Sequence, residues 1–154
     1  MTKFIAALIL LNLSFAQAKV TPLTESEVIS INQEYLELVN EYRIDQKLAP
    51  LTSNPIIEKI AYEHSRGMAL KTREFSHLGF SQRCTKIKSR LAPHKKCGEI
   101  IAYGQKNAKA VLKAWLNSPP HKAAIEGVGY NHTGLGIYRN SRGVIYWTQM
   151  FIKL

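Results

Sequence analysis

The run Gly143-Val144-Ile145-Tyr146-Trp147-Thr148-Gln149-Met150-Phe151-Ile152 decides the fold. It is almost continuously apolar and rich in β-branched and aromatic residues, which predicts a strand. Alternate side chains of a strand point to opposite faces, so Val144, Tyr146 and Met150 share one side while Ile145, Trp147 and Phe151 share the other. With both faces apolar, this strand has to be covered from both sides. Upstream, Leu135 and Ile137 alternate with Gly136 and Tyr138, and residues 140–143 supply a turn. Two antiparallel strands are expected, in a small sheet with helices on both faces.

The helices that do the covering are marked by their ends. Thr24 followed by Glu27 forms a capping box, and Leu23 with Val28 fits the hydrophobic staple that accompanies one. Ile31, Tyr35, Leu38, Val39 and Tyr42 then recur on one helical face until Pro50 stops the pattern. Asn54-Pro55 predicts a second start, an N-cap followed by proline at the first helical position, and Ile57, Ile60, Ala61, His64 and Met68 carry that helix to about Lys71. A third helix follows Asn107, with Ala108, Val111, Leu112 and Trp115 on one side, and ends before Pro119-Pro120. Between the second and third helices no periodicity is decisive.

The first eighteen residues predict a secretory signal peptide: Lys3, an apolar run from Phe4 to Phe15 broken by Asn12 and Ser14, then Ala16-Gln17-Ala18 as a cleavage site near Ala18. That run is too short to span a bilayer, which takes about 20 residues, so a chain that is not transmembrane is expected. Residues 19–154 then form a single domain, secreted or periplasmic, with a monomer expected. The formal charge of the whole chain is +10, which favours anionic partners. Arg83, Lys86, Lys88, Arg90, Lys95 and Lys96 crowd one segment with no acidic residue and no interleaved aromatic. This patch suits an anionic envelope polymer, a lipid surface or a host protein better than nucleic acid. Cys84 and Cys97 bracket it, and in an exported protein they are expected to form a disulfide rather than two zinc thiolates.

Three stretches place proton-carrying or metal-capable side chains beside structure breakers: Phe75-Ser76-His77, Cys97-Gly98-Glu99, and the segment Trp115-Leu116-Asn117-Ser118-Pro119-Pro120-His121. His77, Glu99 and His121 are therefore the candidate site. His64 lies on the apolar face of the second helix and is expected as a core histidine, and His94 in the basic loop as a solvated one.

Taken with Leu38-Val39-Asn40-Glu41-Tyr42-Arg43, Ala61-Tyr62-Glu63-His64-Ser65-Arg66-Gly67-Met68-Ala69, Gly98-Glu99-Ile100-Ile101-Ala102-Tyr103-Gly104 and His132-Thr133-Gly134-Leu135-Gly136, these motifs stand in a known order. The chain resembles a bacterial secreted member of the CAP superfamily, the cysteine-rich secretory, antigen 5 and pathogenesis-related-1 proteins that share the SCP domain. The resemblance covers nearly all of residues 19–154 and implies an α+β fold, a three-layer α-β-α sandwich around a small, mainly antiparallel sheet. It also implies a cleft lined by two histidines and two glutamates, which in some relatives holds zinc or another divalent ion. Matched by motif, the first histidine is His77, the first glutamate Glu99 and the second histidine His121. Ser118 stands where many relatives have the second glutamate, Ile100 replaces the asparagine of the usual Gly-Glu-Asn, and His132 is a further histidine for the cleft.

Zinc with an open position takes three protein ligands, which His77 and His121 with Glu99 or His132 would supply. Glu99 would then be the general base of a metal-dependent, peptidase-like hydrolase. Against that reading, the chain has no HExxH helix and no nucleophile elbow. A hydrogen-bonded network of Glu99 and the histidines at a sheet–helix junction fits the same residues. The expected function is a non-catalytic extracellular binding module, with the hydrolase as the alternative.

Overall fold

The computed structural model describes residues 20–91, 93 and 96–154, so the signal peptide, His94 and Lys95 lie outside it. The elements in chain order are α1 (Glu25–Asp45), β1 (Thr52–Ser53), α2 (Pro55–Ala69), α3 (Phe80–Arg90), β2 (Lys96–Tyr103), α4 (Ala108–Leu116), α5 (Pro119–Ile125), β3 (His132–Arg139) and β4 (Ile145–Lys153). The strands form one sheet in the order β1-β3-β4-β2, antiparallel except for the short β1–β3 pairing. This is the expected α+β architecture with a helical layer on each face.

β4 is buried from both sides as its composition requires. Met150 and Ile152 join Ile57, Ile60 and Ala61 of α2 and Ile87 of α3 on one face. Ile145, Trp147 and Phe151 pack with Tyr35 and Val39 of α1, Trp115 of α4 and Ile125 of α5 on the other. The buried Gln149 interrupts the second face without being orphaned, because it accepts from the Tyr35 hydroxyl and donates to Thr133 Oγ1 at 3.1 Å.

The helix starts form where capping chemistry places them. Thr24 and Glu27 close a capping box at α1, and Asn54 accepts from the Ile56 and Ile57 amides with Pro55 at the first position of α2. Asn107 caps α4. Pro119-Pro120 end α4 and also open α5, where a proline's missing N–H removes only a donor that would have had no intrahelical partner. α3 and β2 fill the stretch without decisive periodicity. α3 has no side-chain cap and buries only Arg83 and Ile87, so its sequence carries neither a start signal nor a long apolar stripe. The disulfide joins Cys84 of α3 to Cys97 of β2.

α2 lies directly on β3. A Cβ on Gly134 would stand 2.3 Å from the Glu58 amide nitrogen, and one on Gly136 would stand 2.0 Å from that of Tyr62. The Ser65 hydroxyl lies 2.9 Å from the Gly136 carbonyl and 2.8 Å from Thr148 Oγ1, tying the helix to β3 and β4. Because the obstruction is helix backbone, no side-chain adjustment relieves it. Gly136→Ala is expected to cost about 3 kcal/mol or more of stability; an unchanged denaturant midpoint would show that the helix does not need this approach.

Candidate functional site: an arginine-held glutamate beside two histidines

Glu99 sits on β2, the edge strand, on the face shared with α2. Its side chain is 1% exposed, and both carboxylate oxygens are engaged. Arg83 Nε donates to Oε2 at 2.5 Å and Nη2 donates to Oε1 at 2.6 Å, a two-pronged pairing. His77 Nδ1 donates to Oε1 at 2.9 Å. The same guanidinium donates to the carbonyls of Leu78 at 3.0 Å and His77 at 3.4 Å, so Arg83 also shapes the loop that carries His77. The histidine itself is half exposed.

This corrects one sequence reading. Arg83 is 5% exposed and faces Glu99, so it does not belong to the anionic-surface patch. A cation next to a buried carboxylate gains more from that partner than from solvent once both are desolvated in good geometry. Lys86 is held by Glu63 at 2.6 Å. Lys88, Arg90 and Lys96 remain exposed, with Lys95 outside the described residues.

His64 completes the cluster from α2. It is 1% exposed, donates through Nε2 to the Ser76 carbonyl at 3.1 Å, and lies 3.9 Å from Glu99 Oε1. Its Nδ1 is buried with no partner among the described residues. It is the core histidine its place on the helix suggested, yet it touches the site. Burial pushes its pKa down from 6.5 to about 4, helped by Arg83 and opposed by Glu99.

His121 and Ser118 lie at the start of α5, on the wall of a 290 Å³ cleft with Phe75, Tyr103 and Trp115. Partial burial lowers the His121 pKa, and the neighbouring His77 ring adds to the effect. Prolines at the first two positions of α5 leave Ser118 little to cap, and its hydroxyl makes no capping bond. His132 is not brought to the cluster. It pairs with Ile152, which pairs in turn with Cys97, so the whole of β4 lies between His132 and β2. Its Nδ1 is 3.0 Å from Asn131 Oδ1. Ile100 points to the opposite face from Glu99 and is buried in the core there, opposite Gln149 in the ladder.

Among the described residues no three His, Cys, Asp or Glu side chains converge as a set that could hold a metal ion. The donor chemistry agrees for Glu99, since a guanidinium occupying both oxygens opposes a divalent cation at the same atoms. His77 and His121 are the two ring donors left near one another.

Arg83 was missed as a site residue, although a signal for it existed. It precedes Cys84, and Glu99 lies two residues beyond Cys97, so the disulfide predicted from sequence already brings residues 83 and 99 together.

Helical layers on both faces of a small mixed sheet, with an edge-strand glutamate paired to a loop histidine beside a disulfide, are the arrangement an SCP domain calls for. The chain belongs to the cysteine-rich secretory protein family, CAP, whose model it matches over residues 36–151. It is 35% identical over 129 residues to the uncharacterized protein YkwD of Bacillus subtilis (strain 168), covering 82% of this chain and 49% of that protein. It is 33% identical over 125 residues to the uncharacterized membrane protein YlbC of the same organism, covering 79% of this chain and 34% of that protein. The chain thus spans between a third and a half of the curated relatives it matches. Its fold is similar to the crystal structure of an extracellular SCP-domain protein from Bacillus anthracis str. Ames, with TM-score 0.72 and 24% identity, over 88% of this chain and 45% of that one. No helix among the described residues is long and apolar enough to cross a membrane.

His64 makes the fold sensitive to acid. Its pKa is depressed in the folded state, so its contribution is complete above pH 6.5 and is lost as pH falls toward 4, by about 3 kcal/mol at most. Thermal melts between pH 7 and 4 should show this loss, and His64→Gln should flatten the profile. An identical slope in the variant would assign the acid sensitivity to other groups.

Proposed function

We propose that the protein is a non-catalytic extracellular binding module, with His77, His121 and Ser118 on its ligand-contacting cleft. The observation that carries this reading is the state of Glu99. A general base needs an oxygen facing the proton it abstracts. Both oxygens of Glu99 are taken by Arg83 and His77, and the side chain is 1% exposed. Glu99 thereby holds His77 in place and fixes which ring nitrogen carries its proton.

A divalent ion in the cleft would rest on the imidazoles of His77 and His121, short of the three protein ligands typical of zinc sites with an open position. Zinc or another divalent ion would polarise a bound ligand there. Glu99 takes no part in that role. Secretion fits the predicted signal peptide and the likeness to an extracellular SCP-domain protein. The exposed cations Lys88, Arg90 and Lys96 would dock the module on an anionic envelope polymer, a lipid surface or a host protein.

The test is turnover of a peptide library with and without added zinc, by wild type and by Glu99→Gln. No cleavage is expected from either protein, and the variant should be less stable by about 3 kcal/mol because Arg83 is left buried beside a neutral amide. Zinc-dependent cleavage by wild type that a folded Glu99→Gln loses would establish the hydrolase instead.

A further inference from the structure

Three tyrosines form a row across the sheet, on the face where α2 lies. Tyr138 of β3 pairs with Tyr146 of β4, and Tyr146 pairs with Tyr103 of β2, so the three side chains share one side at the same level. α2 covers that face as far as Ala69, with Tyr62 packed on Tyr138 at 6.0 Å; Tyr138 and Tyr146 are half-buried, and Tyr103 on the edge strand is open. The Tyr103 and Tyr146 rings stack at 5.6 Å with 20° between their planes, and Phe75 meets Tyr103 edge-on at 4.8 Å. Tyr103 is 54% exposed and Phe75 45%, a large aromatic area to leave in water.

The row floors a 650 Å³ groove whose polar walls are cationic. Lys71, Arg139 and Arg142 line it, and among the described residues no Asp or Glu does. Arg139 is engaged by the Thr21 and Pro22 carbonyls and by Glu27, whereas Lys71 and Arg142 make no salt bridge among the described residues. Tyr103 also lines the His121 cleft, so the two depressions adjoin. In that second cleft Gln105 Oε1 is a buried acceptor without a partner among the described residues, and Ser118 and His121 line the same cleft. A partly exposed aromatic row, neutral hydrogen-bonding groups at one end and cations at the other match one kind of ligand.

We infer that this groove binds an acidic polysaccharide, its sugar rings packed against the exposed side of the Tyr103–Tyr146 aromatic row, its hydroxyls reaching Gln105 and Ser118, and its carboxylates meeting Lys71 and Arg142. The inference rests on the binding-module reading and names the ligand class. A lipid surface is a poorer match, since polar and charged side chains, Lys71, Asn140, Ser141 and Arg142, stand beside the apolar Val20 and Leu70 in the lining.

The test is calorimetry at low salt with oligogalacturonate, a neutral gluco-oligosaccharide of the same length, and vesicles containing phosphatidylglycerol. The acidic oligomer should bind at least tenfold more tightly than the neutral one. Tyr103→Ala should weaken it at least tenfold while Tyr103→Phe retains it, because packing against the row needs the ring and not the hydroxyl. Arg142→Gln should erase the preference for the acidic chain, and Lys109→Gln, an exposed cation on α4, should change nothing. Absence of binding, equal binding of acidic and neutral oligomers, an unaffected Tyr103→Ala, or Tyr103-dependent binding of vesicles alone would each overturn the assignment. Oligomer length after incubation separates the two readings: shortening would contradict the non-catalytic module and leave the groove standing.

Discussion

The contact on which the rest of the structure depends is the direct approach of α2 to β3 at Gly134 and Gly136. Side chains normally hold a helix well off a sheet, and here two positions without a Cβ let the backbones nearly touch. Ser65 bonds across the junction to Gly136 and Thr148. The height of α2 above the sheet is thereby fixed, and with it the position of His64 against Glu99. The same contact determines where the helical cover stops. Past Ala69 the chain turns away through Lys71, whose φ of 57° is left-handed, and Tyr103 at the edge of the tyrosine row is left open.

Arg83 organises the second half of the site. Its guanidinium gathers a carboxylate from β2 and two carbonyls from the loop at 77–78, and the disulfide holds α3 to β2 one residue away from it. Closing a loop of this size stabilises the fold by roughly 3 kcal/mol through the unfolded chain. It also limits how far Arg83 can drift from Glu99. The cluster therefore has the character of a scaffold: charge is neutralised pairwise inside the protein, and what reaches solvent is one edge of His77. In the proposed reading, recognition falls to the neighbouring surfaces, the aromatic cleft and the groove.

Much of the fold was legible in the sequence because its signals are local. The two-faced apolar run of β4, the Thr24–Glu27 capping box and the Asn54-Pro55 start each state their structure within a few residues. α3 was not legible, since it has no cap and its buried face consists of one arginine and one isoleucine. His77, Glu99 and His121 were found by motif, and the structure places the first two in contact. Their partners Arg83 and His64 were not found, because an arginine in a basic run looks solvated and a histidine on an apolar face looks like core until the third dimension supplies Glu99. The tyrosine row escaped for a related reason: residues 103, 138 and 146 become neighbours only through strand register.

The central claim is that Glu99 is a structural partner of Arg83. A double-mutant cycle on thermal or denaturant stability, with Arg83→Met, Glu99→Gln and the pair together, tests it most directly. The account predicts that each single substitution is strongly destabilising and that the double variant recovers a large part of the loss, with a coupling of about 2 kcal/mol or more, because removing one partner leaves the other charge or amide buried alone. Additive effects, with the Glu99 substitution alone nearly neutral, would contradict it and return Glu99 to the role of a carboxylate available for chemistry.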